Sequence, residues 1–412
     1  MPRLRPPRHP VTVHLDGEAI VAERGEPTAV ALVAAGRLAL ARSPKFHRPR
    51  GPSCLRAACD GCLARVDGEP NVMTCRVPAV DGMRVETQNV VGSRSTDLLR
   101  MADWFFPDGM NHHELLAGVP GLQRVMQSFA RRVAGLGRLP DGRAPVRPAP
   151  RRDVDVLVVG AGAAGMGAAL GLLAKGRRVE VVDDDLQWGG GVRALGSEDW
   201  RPLIESFGEA VEGGQLVLRL RTTAAGIYGD DVLVAGARGV EVVQAQTLVL
   251  APGAHDGALA FEGNDLPGVV SARAAAWMLA AGVAPGRRAV LVAPAGPFGS
   301  AVVGQLDGVT VVEGAPSKAR GGGRIREVTI VEPGGREQRY PCDTLVLDVP
   351  PAPAYELCAQ AGAQLAHEER GYVVQAPGGR VRDGVFALGE VTGARLDPVV
   401  IAGQVAAVVG QA

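Results

Sequence analysis

The sequence predicts a two-part α/β chain. A small N-terminal β-grasp, ferredoxin-like domain leads into an FAD/NAD-binding fold of the disulfide-reductase type, with an abbreviated second Rossmann half. Three observations predict this. Cys54, Cys59, Cys62 and Cys75 follow the spacing C-x4-C-x2-C-x12-C. Strand–turn–strand patterns flank them on both sides. From Asp153 onward short β-runs alternate with helical stretches, opening on a turn that contains Gly160, Gly162 and Gly165.

The elements follow in order. Val11–Leu15, the Asp16-Gly17 turn and Glu18–Glu23 read as a hairpin, because alternating apolar residues flank an Asp-Gly pair suited to a type I′ turn. Pro27 then opens a short helix through Val30 and Val33 to Gly36. After the cysteine loop, Leu63–Val66, Asp67-Gly68 and Pro70–Cys75 form a second hairpin that returns Cys75 beside Cys62, and Met83–Thr87 is the last strand. Val91–Gly137, with Trp104-Phe105-Phe106-Pro107 and Asn111-His112-His113-Glu114, reads as irregular and helical. Pro140–Arg152 reads as an extended, exposed Pro/Arg linker. The expected domains are therefore 1–92, a connector 93–152, and 153–412, whose second nucleotide half covers about 270–380.

Composition bounds what such a chain does. Its 412 residues suffice for two or three buried cores. Forty-four basic residues balance forty-four acidic ones, which gives no field that would favour nucleic acid or an anionic membrane. Pro2–Pro10 is basic but has no apolar run behind it, so it does not read as a secretory signal. Val154–Val159 is too short to span a bilayer, and Val399–Val409 is both short and broken by Gly and Gln. A soluble, cytoplasmic protein without membrane insertion is expected, and in that setting cysteines serve as ligands or idle thiols.

The cysteine set carries the strongest chemical signal. Three thiolates from one short loop and a fourth from an adjacent hairpin can enclose a [2Fe–2S] cluster. Arg48, Arg50, Arg56 and Arg76 lie close by in sequence and can offset its negative charge, while Ala57, Ala58 and Gly61 leave backbone N–H groups free to approach sulfur. Four-cysteine zinc and four unligated thiols are the alternatives. Zinc sites usually pair two close cysteine units, whereas this sequence has one.

The second signal is the run Val156–Val159 followed by Gly160, Gly162 and Gly165, then Ala163, Ala164 and an apolar helix. Gly160 permits the tight turn, Gly162 lets backbone approach a pyrophosphate, and Gly165 lets helix and strand pack closely. The next strand, Val179–Val182, ends at Asp183, 18 residues after Gly165, where a carboxylate can accept ribose hydroxyls; Asp184 and Asp185 crowd the same end, and strand register favours Asp183. Trp188–Gly191, with Gly190 and Gly191, reads either as a loop that approaches the cofactor or as a plain turn. Thr247–Gly253, with Ala251 and Gly253, and Gly384–Gly393, with Gly389 and Glu390, complete a dinucleotide site in which FAD is the favoured ligand.

Arg288–Gly299 resembles a second glycine turn, but Pro294 stands where its first glycine belongs, and proline cannot supply a positive φ. That half is expected to bind NAD(P)H poorly. The seven histidines show no metal-ligand spacing, and Cys342 and Cys358, sixteen residues apart, read as idle thiols. No acid/base set marks a substrate site, so no catalytic residue is assigned.

Residues 150–412 resemble the α (large) subunits of heteromeric flavin amine dehydrogenases and oxidases. These include sarcosine oxidase, the proline and hydroxyproline dehydrogenases, opine oxidases and hydrogen cyanide synthase. Leu250–Val270, including Asn264-Asp265-Leu266-Pro267-Gly268, carries that resemblance, as does Lys45–Gly51. The Cys54–Cys75 domain is similar to the small [2Fe–2S] subunit or domain that accompanies several members. The resemblance implies a separate β subunit, similar to D-amino-acid oxidase, that oxidises an amine at its own FAD. The α chain would relay electrons, in some members with FMN between subunits. It also implies that FAD, NAD or ATP can occupy the Gly160 site. Pro252 and Glu390 stand where flavin reductases commonly have Thr and Asp, and the folate-binding half of sarcosine oxidase α has no counterpart in this sequence. The expected function is an electron-transfer subunit whose amine substrate and electron acceptor the sequence does not name. The alternatives are a self-contained NAD(P)H reductase and a non-catalytic scaffold.

Overall fold

The computed structural model describes residues 3–43, 46–101, 121–133, 148–292 and 296–412. Pro294, His112, His113, the Trp104–Pro107 run and most of the Pro/Arg linker lie outside them. The chain divides into two compact units: Met1–Ala144 with Ala258–Pro294 and Val302–Asp348, and Pro145–Gly257 with Ala295–Ala301 and Val349–Ala412.

In the first unit both Asp-Gly turns form as expected, with positive φ at Asp16, Gly17, Asp67 and Gly68. The hairpin Pro10–Leu15/Glu18–Glu23 joins Arg84–Glu86, which runs parallel to the first strand and antiparallel to Leu63–Val66; Glu69–Met73 completes five strands. Val11, Val13 and Leu15 point inward at alternate positions. Beside Glu18–Glu23 lies the helix Thr28–Ala34, buried from Thr28 to Val33. Burying each of its Val and Leu side chains contributes roughly 1.5–3 kcal/mol. This is the expected β-grasp, whose central strand is the last in sequence.

The same unit holds a four-stranded parallel sheet in the order Val269–Ser271, Thr344–Leu347, Ala289–Val292, Thr310–Val312. A three-stranded antiparallel meander, Ala315–Gly321, Ile325–Val331 and Glu337–Pro341, follows in sequence. The basic N-terminal segment is pinned here: Leu4 N donates to Gly282 O at 2.7 Å.

In the second unit the parallel strands Val217–Arg219, Val179–Val182, Arg151–Val159 and Gly239–Leu250 form the sheet centre, and Val385–Ala387 pairs beside Leu248–Leu250. The helices Ala163–Ala174, Arg201–Glu212 and Pro398–Gln411 contribute residues to its core. The first strand begins at Arg151, two residues inside the expected linker. Arg151 pairs with Asp231, and Arg152 bonds Glu180 and Glu241 on neighbouring strands at 2.6–2.7 Å, which draws both arginines into the ladder.

Candidate functional site

The cysteine loop is the first candidate. Its conformation is set by Leu55 and Ala57, which hold φ of 53° and 60° without being glycine. Left-handed residues alternating with Arg56 turn N–H groups toward one concave side, an anion-binding arrangement. Arg56 N donates to Cys54 Sγ at 3.3 Å. The Ala58 N–H also faces Cys54, those of Ser53 and Gly61 face Cys59, and that of Ala57 faces Cys75. The residues expected to expose their amides thus do so. Gly61 is required sterically, since a Cβ there would lie 1.8 Å from Gly51 O.

The four thiols stand as two pairs. Cys54 Sγ donates to Cys59 Sγ at 3.4 Å, and Cys75 pairs with Cys62. As acceptors, Cys59 and Cys62 are held below the usual thiol range by those bonds, and the donors Cys54 and Cys75 are raised. Cys75 lies in a one-turn 3-10 helix, Thr74–Arg76, rather than in the strand expected; Thr74 N and Oγ1 both donate to Cys62 O, which fixes the pair. Among the described residues no group of three or more His, Cys, Asp or Glu side chains is disposed to hold a single metal ion. Two pairs of thiols, ringed by amide donors, suit two irons with two ligands each. The Arg50 guanidinium pairs with Asp265 at 3.2 Å.

The glycine turn is the second candidate. Gly160 has φ +100°, and a Cβ there would meet Ala251 O at 2.2 Å; a Cβ on Gly165 would meet Gly160 O at 1.8 Å. The motif anticipates the positive φ at Gly160 and the close approach at Gly165, but not the contact of Gly160 with Ala251. Gly162 differs, having nothing within 4 Å of its Cβ position. It precedes the helix Ala163–Ala174, whose first turn has no side-chain cap although Ala163 and Ala164 are buried. Uncapped N–H groups beside an open glycine form a cradle that suits a pyrophosphate.

The remaining predicted residues come together around it. Gly190 lies over Gly162, with 3.0 Å from its Cβ position to Gly162 Cα, and a Cβ on Gly389 would lie 2.8 Å from Ala164 Cβ. Gly253 faces Glu390, 3.7 Å from its Oε2. The Trp188–Gly191 segment is not a plain loop, because Gly190–Leu195 forms a short helix entered through Gly189 at φ +104°. Trp188 Nε1 is buried there without a partner.

Asp183 has a structural part as well, within the turn itself. Its Oδ2 accepts Ala161 N–H at 2.6 Å and its Oδ1 accepts Asp185 N–H at 2.7 Å, so the carboxylate braces the turn. Burial pushes its pKa up to about 6 against those two bonds. Asp184 is exposed at the same strand end. Two contributors escaped the motif reading. Ala161 O accepts Gly189 N–H at 2.8 Å. Gln404 accepts Gly389 N–H and donates to Thr392 Oγ1, both at 2.8 Å. A polar residue in an otherwise apolar helix was the available signal for Gln404.

Residues 8–90 match the family described as a 2Fe-2S iron-sulfur cluster binding domain. The alpha chain of sarcosine oxidase from Rhizobium meliloti (strain 1021) is 30% identical, over 68% of this chain and 31% of that protein. The corresponding chain of opine oxidase from Agrobacterium tumefaciens (strain Ach5) is 34% identical over 40% of this chain and 38% of its own length. The HcnA component of hydrogen cyanide synthase from Pseudomonas aeruginosa is 35% identical over 20% of this chain and 78% of its own. The chain belongs to this family of oxidase α subunits, with an N-terminal [2Fe–2S] domain. It spans about a third of the length of the sarcosine oxidase α chain it matches. Its fold is also that of L-proline dehydrogenase from P. horikoshii, at 22% identity and TM-score 0.70 over 94% of this chain and 70% of that one. Thioredoxin reductase of T. acidophilum aligns at 19% identity and TM-score 0.51, over 63% of this chain and 97% of its own. The chain thus carries a disulfide-reductase-like fold, and its Cys342 and Cys358 are buried, with burial pushing each thiol up to about 12. Among the described residues no helix is long and apolar enough to cross a membrane.

Proposed function

We propose that this chain is the electron-relay component of a heteromeric dehydrogenase or oxidase acting on a secondary amine or amino acid of the proline, hydroxyproline, sarcosine or opine type. The amine is oxidised in a partner β-type flavoprotein similar to D-amino-acid oxidase. The observation that supports this is the combination, on one family member, of a four-thiol loop with inward amides and an open dinucleotide cradle. Cys54, Cys59, Cys62 and Cys75 hold the cluster. Gly160, Gly162, Ala163, Ala164, Gly165, Gly190, Gly191, Ala251, Gly253, Gly389 and Glu390 form the FAD site, with Asp184 taking the ribose and Asp183 holding the turn. NAD or ATP fits the same cradle, and FMN at a subunit interface is a further expectation from the family. The domain roles follow the division at about residues 92 and 152, and the complex is placed in the cytoplasm.

A two-iron cluster supplies one-electron transfer, and a flavin converts between one- and two-electron steps. The protein's own part is to aim amides at sulfur and at phosphate and to hold both groups in fixed backbone. The experiment is to purify the chain alone and with its co-purifying partner, then assay dye reduction with proline, sarcosine and opines. Turnover is expected only with the partner. Robust turnover by the chain alone would refute the relay reading. Rapid, tight reduction by NADH or NADPH would favour a self-contained reductase instead.

A further inference from the structure

The loop that carries the cysteines has almost no regular structure of its own, yet its ligands must stay fixed for electron transfer. What holds it lies in the second nucleotide half. Ser271 N donates to Ser53 O at 2.9 Å, one residue before Cys54. Arg50, four residues before Cys54, pairs with Asp265. Between them Gly51 is stacked so tightly that a Cβ would lie 2.8 Å from Leu38 O and 3.0 Å from Pro267 Cβ. Gly51 O in turn sits beneath Gly61, which lies between Cys59 and Cys62. Both ends of the loop therefore rest, directly or through one glycine, on residues 265–271.

That segment is itself anchored. Ile325 N donates to Pro267 O and Leu345 N to Gly268 O, both at 2.9 Å, which ties it to the meander and to the parallel sheet. Gly268 adopts φ +100°, and a Cβ there would meet Asp343 O at 2.9 Å. Ser271 caps the helix Ala272–Ala280 by accepting Ala274 N–H at 3.0 Å. Arg50 Nε is buried without a hydrogen-bond partner, and the ion pair with Asp265 anchors its guanidinium.

We infer that residues 265–271 form a strap that positions the cluster loop, with Asp265 as a positioning residue that touches no ligand. The nicotinamide half, in this chain, serves the iron–sulfur site. This rests on the reading that the four cysteines hold the cluster, and the test separates the two. The holo-protein is reduced with dithionite and its cluster signal recorded by electron paramagnetic resonance. Its midpoint potential and the rate of iron release to a chelator are then measured. Asp265→Asn is expected to raise the potential, because Arg50 loses its counter-charge, and to alter the line shape. It should also speed iron release about three- to fivefold, a factor in keeping with a partly exposed ion pair. Asp265→Glu should restore all three, and Glu18→Gln, at an ion pair elsewhere in the β-grasp, should change none.

A wild-type signal with an indistinguishable Asp265→Asn protein overturns the strap. A wild type with no cluster signal removes the cluster reading and the proposal with it. Should Asp265→Asn not fold, hydrogen exchange on the native protein decides. Removing the cluster is expected to deprotect the Ser271 amide while leaving Val158 protected, and unchanged protection at Ser271 overturns the inference.

Discussion

At the scale of single residues, adjacent acids at one strand end sit in different surroundings. Asp183 accepts two backbone N–H groups, whereas Asp184 is exposed. Asp183→Ala should therefore cost about 1–3 kcal/mol of stability for each N–H left without an acceptor, seen as a lower urea midpoint. Asp184→Ala should leave that midpoint within about 0.5 kcal/mol of wild type. It should weaken nucleotide retention about 10–100-fold, the loss of a hydrogen bond from a charged group. The opposite pattern would return the ribose role to Asp183. Sequence could place an acid at this strand end but not choose between neighbours, because the choice depends on which carboxylate turns back to Ala161. Gly160 and Gly165 were legible for the contrasting reason that their constraint is steric and local. Gly61 was legible as a small residue, but not as one pressed on Gly51, a contact between separated backbone segments.

At the scale of elements, the strand Arg151–Val159 shows how side-chain charge extends a ladder. Arg152 and Arg219 form a ring with Glu180 and Glu241 across four adjacent strands, with bonds of 2.6–3.2 Å. A Pro/Arg-rich approach reads locally as linker, and its two arginines join the sheet because acids far away in sequence receive them, Asp231 for Arg151 and Glu180 and Glu241 for Arg152. Burial opposes ionisation of Glu180, but Arg152 and Arg219 outweigh it and hold its carboxyl below the ordinary range. The same two arginines hold Glu241 low. The stabilisation is thus present above the unfolded glutamate value of about 4.3 and is lost as pH falls through the lower folded values. Arg219→Met should destabilise the second unit by about 1–3 kcal/mol at neutral pH, since Glu180 and Glu241 each lose one of their two arginine partners and keep only Arg152. The deficit should shrink below about pH 4 as both glutamates protonate. Urea unfolding at pH 7 and pH 3.5 checks this, and an equal deficit at both would show that lost packing, not charge, is responsible.

At the scale of the whole molecule, sequence order and structural grouping part company. The sequence places residues 258–294 and 302–348 within the nucleotide-binding half, whereas they form one compact unit with the β-grasp. Periodicity reveals each strand but not which distant segment covers it, and the Asp265–Ser271 contacts with residues 50–53 have no signature in either stretch alone. The grouping has a thermodynamic consequence. A ligand that binds only the folded state stabilises the unit that holds it, by about 2.7 kcal/mol at a hundred times its dissociation constant. Cluster removal should therefore loosen Val290–Val292 and Leu345–Leu347 together with the β-grasp. Added dinucleotide should instead protect Val156–Val159 and Leu248–Leu250, which lie in the other unit. Hydrogen exchange followed by peptide mass spectrometry reads both responses in one protein. If cluster loss exposed the β-grasp alone and left Val290–Val292 protected, residues 258–294 and 302–348 would be an independent domain rather than the cluster's support.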